Sequence, residues 1–162
     1  MNSIRQANFA GSTPEQWLCA GFAAVALYLV LHFAFGLLER RLTSLSKKTS
    51  NVADDILAAA LQSTKRWVLL VAAVWGGARF LNLGSAEAYI DYMLLIAVVL
   101  QLAIWLNRMV SAYIVFYTDA RREDNPAAVS VVQGVSFLVR LIIWSIAFLL
   151  VVDNLGYDVT AL

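Results

Sequence analysis

Apolar residues fall in four long stretches without period-two alternation, and most polar residues gather between them. The first, Trp17 to Leu38, is 22 residues without a charge. As a helix it spans about 33 Å, enough for a bilayer core. The second, Trp67 to Leu83, holds one charge, Arg79. The third, Tyr92 to Tyr117, contains Gln101, Asn107 and Arg108, and the fourth, Val129 to Val152, contains Arg140. Continuous Leu, Ile, Val and Ala over such lengths reads as helix. The pattern predicts an all-α integral membrane protein with no β-sheet and four transmembrane helices, at 16–38, 67–83, 89–117 and 129–152.

Composition strengthens this. Hydrophobic residues make up 61% and charged residues 14% of the 162 residues, against roughly 45–50% and 25% in globular domains. A soluble domain of this size cannot hide so much apolar surface, so lipid is the expected solvent. The same numbers exclude a disordered chain, and one Cys excludes a disulfide scaffold. With a net charge of +1 no strong field draws the chain to nucleic acid, and no nucleic-acid partner is expected.

Where the cations sit sets the orientation. Arg40, Arg41, Lys47, Lys48, Lys65 and Arg66 lie between the first two stretches, and Arg121 and Arg122 between the last two. The connection 82–91 carries Glu87 and Asp91, the tail carries Asp153 and Asp158, and Arg5 alone precedes the first stretch. Positive charge stays inside, so 39–66 and 118–128 are expected in the cytoplasm, with both termini (1–15 and 153–162) outside. Trp17, Tyr89, Tyr92 and Tyr157 then fall at outer boundaries, and Trp67, Tyr113 and Tyr117 at inner ones, as interfacial aromatics do. The first stretch is too long, and its flanking charge is on the wrong side, for a cleavable signal peptide.

Within the longer basic segment, 50–66 predicts an amphipathic helix feeding straight into the second span. Ser50 or Asn51 would cap it, and Asp54 and Asp55 would face its positive dipole end. Adjacent carboxylates on a helix point about 100° apart, which argues for capping rather than a metal or acid–base pair. Asn125 is the expected cap of the last span, with Pro126 at its first helical position. Three pairs of small residues four apart, Ala20/Ala24, Ala72/Gly76 and Ala73/Gly77, suggest close helix packing.

The chemistry-bearing inventory is short. One His and one Cys build no zinc cluster, and no phosphate-binding loop, nucleophile elbow or redox pair occurs. No enzyme activity, cofactor or metal is expected. His32 reads as a neutral side chain bonded to a neighbouring helix or turned to the interface, and Cys19 as a small apolar filler. The intramembrane arginines are the candidate lipid-interface and sensor residues. Arg79 lies near the outer end of its span, within reach of Glu87 or Asp91. Arg108 can reach the inner interface. Arg140 is deepest, and snorkels to inner-leaflet phosphates or bonds a neighbouring helix.

The C-terminal end is the most specific feature. The last span runs into Asp153, then Asn154, Leu155, Gly156, Tyr157 and Asp158, followed by Val159-Thr160-Ala161-Leu162. With the basic loop at Arg121 and Arg122, these last forty or so residues resemble the small-conductance mechanosensitive channel (MscS-like) family. There an apolar helix ends in an Asn-Leu-Gly-Tyr-Asp-type turn, and Val-Thr-Ala-Leu opens a Gly/Ala-rich pore helix entering from the periplasmic side. The resemblance implies that the third and fourth spans match the paired tension-sensing helices. The first two would resemble the extra peripheral helices of longer members.

It also implies a multi-pass inner-membrane homo-oligomer, a heptamer when the full-length chain is present, that contacts membrane lipids and releases ions and small solutes under hypo-osmotic stress. Because the chain reaches Leu162 and no further, the expectation is a sensor region truncated before its pore helix and cytoplasmic vestibule. The competing expectation is a stand-alone four-helix membrane scaffold or accessory protein. A transporter fits less well, since no span has a Gly/Pro-broken centre or paired buried charges.

Overall fold

The computed structural model of the chain describes residues 12–46, 52–119 and 126–155. Their regular elements are five helices: α1 (Pro14–Ser46), α2 (Val52–Gln62), α3 (Arg66–Ala78), α4 (Ala86–Asp119) and α5 (Pro126–Asn154). The expected caps Ser50, Asn51 and Asn125 lie outside the described residues, as do Lys47, Lys48, Arg121, Arg122 and the turn residues Gly156, Tyr157 and Asp158.

Three helices are individually long and apolar enough to cross a membrane: α1, α4 and α5. They hold 33, 34 and 29 residues. At 1.5 Å per residue even the shortest is about 43 Å, beyond a hydrocarbon core of about 30 Å. The large side chains point away from the protein: Leu18, Phe22, Met93 and Phe137 are all exposed, whereas the buried apolar residues are mostly alanines. Helices that meet through small residues and turn bulk outward are suited to lipid, where packing rather than the hydrophobic effect holds helices together.

The second span departs from the pattern expected of it. The segment 50–66 does not feed straight into it; α2 and α3 are separate helices bent by 66° at a short break, together a candidate broken span. Two neighbouring hydroxyls make the break. Ser63 Oγ donates to the Ala60 carbonyl and Thr64 Oγ1 to the Leu61 carbonyl, both at 2.6 Å. These side chains satisfy the last carbonyls of α2 locally, which competes with continuing the helix. Lys65 is then extended (φ −86°, ψ 132°) and starts α3 without a side-chain cap. At 13 residues α3 ends five residues before its apolar run does. It measures only about 20 Å.

The chain divides into two units. The first joins 1–35 to 65–98. Here Thr13 and Gln16 form a reciprocal capping box at the start of α1: Thr13 N–H donates to Gln16 Oε1 at 2.8 Å, and Gln16 N–H to Thr13 Oγ1 at 3.4 Å. Pro14 sits at the first helical position, where its missing N–H costs nothing. The small-residue pairs pack as their spacing suggests. A Cβ on Gly77 would lie 2.6 Å from the Ala20 carbonyl oxygen and 2.8 Å from Ala24 Cβ. Gly84 has a φ of +56°, reversing the chain between α3 and α4. Asn82 N–H donates to the buried Ser12 Oγ at 2.9 Å, tying that connection to the chain before α1.

The second unit joins 36–64 to 99–162. Trp105 Nε1 of α4 donates to Thr64 Oγ1 at 3.1 Å, so the hydroxyl that ends α2 also anchors the break. Gln62 Nε2 donates to Thr43 Oγ1 of α1 at 3.3 Å. Helix α5 opens at Pro126.

Candidate functional site

In the first unit Arg79 and Asp91 form an ion pair, so of the two carboxylates in reach the structure selects Asp91 over Glu87. Trp75, one turn before Arg79, joins them. Its Nε1–H donates to the same Asp91 Oδ1 at 2.7 Å, and the Arg79 guanidinium lies 4.8 Å from the centroid of its ring. One carboxylate oxygen thus accepts from an indole and a guanidinium that also touch each other. The group links the end of α3 to the first turns of α4. Arg79 and Asp91 are each 47% exposed, so solvent screens their attraction. Trp75 carried no signal in the sequence beyond its i, i+4 spacing from Arg79.

In the second unit the two remaining candidate arginines separate in role. Arg140 lies halfway along α5, about 21 Å from its start. It bonds a neighbouring helix: Nη2 donates to Ser111 Oγ of α4 at 3.1 Å. Ser111 Oγ in turn donates to the Asn107 carbonyl one turn back, at 2.8 Å. The Arg140 Nε is buried without a hydrogen-bond partner among the described residues. The Arg140–Ser111 contact is the neighbouring-helix bond, one of the two placements expected of Arg140.

Arg108 sits three residues before Ser111 and lines an open cleft of about 440 Å³ between α2 and α4. Asp55 of α2 and Asp119, the last residue of α4, line it too. A second recess of about 430 Å³, between α4 and α5, is lined almost wholly by apolar residues such as Met109, Ile114, Val132 and Val139.

The remaining candidates are quieter. Asn154 closes α5, its Nδ2 donating to the Leu150 carbonyl at 3.0 Å, and Leu155 follows as an exposed turn residue. His32 stacks on Tyr28 of its own helix (5.9 Å between centroids) and meets Phe33 edge-on, rather than bonding across to another helix. Cys19 is exposed instead of packed. Asp54 and Asp55 occupy the first turn of α2, as a dipole role requires.

No family model matches the chain, and no solved structure matches it. Among characterised proteins it is similar to the large-conductance mechanosensitive channel MscMJLR of Methanocaldococcus jannaschii, 28% identical over 145 residues. The similarity covers 86% of this chain and 40% of that channel, so the chain spans less than half of its relative's length. Together with the long apolar helices, this makes the chain a multi-pass membrane protein related in sequence to a mechanosensitive channel.

Proposed function

We propose that these residues form the tension-sensing membrane portion of a mechanosensitive ion channel that opens under hypo-osmotic stress. The observation that carries the reading is the similarity to an archaeal mechanosensitive channel along most of this chain. The helices are suited to the role: large side chains face outward along α1, α4 and α5, so a change in lateral tension bears directly on them. The Asn154–Asp158 turn favours the MscS-like type within such channels. The chain in this reading works in a homo-oligomer, with seven copies implied by that resemblance.

In the same reading both termini are outside and the α2–α3 pair supplies the fourth crossing. A helix as short as α3 requires local thinning of the bilayer or help from the connection that follows it. Arg140 couples α5 to α4 inside the membrane, Arg79 fixes the outer end of α3, and Arg108 faces the inner side. The membrane lipids are the immediate partners. The test is survival. Bacteria lacking their own mechanosensitive channels should survive hypo-osmotic shock when they express the archaeal channel with its aligned part replaced by this chain. Death at the rate of cells carrying an empty vector, with the hybrid present in the membrane, would refute the reading.

A further inference from the structure

Three residues of α4 bond neighbouring segments, and each has a counterpart one turn earlier on the helix. In the first unit Asp91 accepts from Arg79 and from Trp75 of α3. In the second, Trp105 donates to Thr64 at the α2–α3 break, and Ser111 accepts from Arg140 of α5. Four residues before them stand Glu87, Gln101 and Asn107. The match is one of kind: carboxylate for carboxylate, N–H donor for N–H donor, acceptor oxygen for acceptor oxygen. Residues four apart share a helix face, one above the other. Glu87 and Asn107 make no side-chain hydrogen bond among the described residues. Glu87 also lines the same small gap as Arg79.

Packing decides which position is the resting one. Ala97 and Ala103 are buried to 1% and 2% exposure. A one-turn shift puts Met93 and Val99 in their places, bulk that a fitted contact resists. Against α5 little resists. Val129 and Ala147 are its only buried residues among those described, and the apolar recess of about 430 Å³ opens between the two helices. The chain connecting them permits the shift. Parallel helices meeting at Ser111 and Arg140 would set Asp119 and Pro126 about 33 Å apart. The segment between them reaches about 25 Å at most, so α5 runs back along α4. Its start then overhangs the end of α4 by about 9 Å, which the shift reduces to about 3 Å.

We propose that α4 has two axial positions, the second reached by a slide of one turn, about 6 Å, toward its Asp119 end. Glu87, Gln101 and Asn107 then take the places of Asp91, Trp105 and Ser111, and Arg79, Thr64 and Arg140 keep partners of the same kind. All three exchanges run in one direction along one helix, as a single movement requires. Elements that step by a turn between two sets of contacts switch rather than deform continuously. The slide involves this chain's own helices alone and is independent of what the whole protein does.

Spin-label distances test it in the full chain, reconstituted in lipid bilayers with Cys19→Ala as background. Leu102→Cys and Val131→Cys place labels at exposed positions of α4 and α5. The slide brings these two positions closer by about 5 Å. Wild type should show mainly the longer separation. Asp91→Ala with Ser111→Ala removes two present partners and leaves their counterparts, so a second population about 5 Å shorter should appear. Adding Glu87→Ala and Asn107→Ala removes the counterparts too, and the short population should vanish.

A double variant that keeps the wild-type separation alone would overturn the two-position slide. A short population present in the double and the fourfold variant alike would overturn it as well, because loosened packing rather than exchanged bonds would then set the distance. Should the double variant fail to insert, Ser111→Ala against Ser111→Ala with Asn107→Ala makes the same comparison at one site.

Discussion

Arg140 Nη2 and Ser111 Oγ are 3.1 Å apart, joining the middle of α5 to α4. Ser111 relays the contact to the Asn107 carbonyl, so the guanidinium is tied to the α4 backbone through one hydroxyl. Interhelical hydrogen bonds in membranes are worth about 0.6 to 2 kcal/mol. Arg140→Leu and Ser111→Ala should each lower unfolding free energy in mixed micelles, and the double variant should lose less than the sum. Strict additivity would mean that the two side chains act separately. Arg140→Lys, which keeps the charge but not the reach of the fork, should fall between wild type and Leu.

The approach of α3 to α1 rests on the missing side chain of Gly77. An added methyl meets the Ala20 carbonyl oxygen at 2.6 Å and Ala24 Cβ at 2.8 Å, with backbone on one side. Gly77→Ala should therefore destabilise by about 1–3 kcal/mol through overpacking. Gly134→Ala, where nothing lies within 4 Å, should be neutral or stabilise by up to about 1 kcal/mol through helix propensity. Equal melting temperatures for the two variants would contradict the packing.

Asp91 accepts from both Arg79 and Trp75. Asp91→Asn keeps an acceptor for the indole but removes the charge, whereas Asp91→Leu removes both. Loss of thermal stability should follow the order Leu, then Asn, then wild type. With both charged partners half exposed, the Asn effect should be under about 1 kcal/mol and shrink in high salt. An Asn variant as unstable as Leu would place the stabilisation in the ion pair alone.

Orientation is testable with Cys19→Ala as background. Ser85→Cys, exposed between α3 and α4, should label in intact cells with an impermeant maleimide, and Ser46→Cys at the end of α1 should not. The opposite result would invert the membrane topology.

Long spans were readable from the sequence because uninterrupted apolar runs of that length have few other solutions in water. The capping box at Thr13 and Gln16 went unread, although its Thr-Pro-Glu-Gln pattern carries the signal. The α2–α3 break was hidden for a physical reason: Ser63 and Thr64 are compatible with a helix, and only their choice to bond the Ala60 and Leu61 carbonyls ends it. Asp91 was one of the two carboxylates named for Arg79, whereas the hydroxyl that Arg140 bonds was not foreseen. Ser111 is 29 residues from Arg140, a separation over which spacing carries no information about contact. The cleft beside Arg108 lies between these cases. Its α4 wall follows from helical periodicity, but the carboxylate of Asp55 reaches it only through the fold.

The sensing role stands most directly on one recording. The archaeal channel, with its aligned part replaced by this chain, is expressed in membranes lacking other mechanosensitive channels, and patches are taken through a pressure ramp. The expected result is reproducible unitary current that appears with suction and closes on release. A hybrid that reaches the membrane at the assembled size of the parent channel, yet stays silent until the patch ruptures, would contradict it.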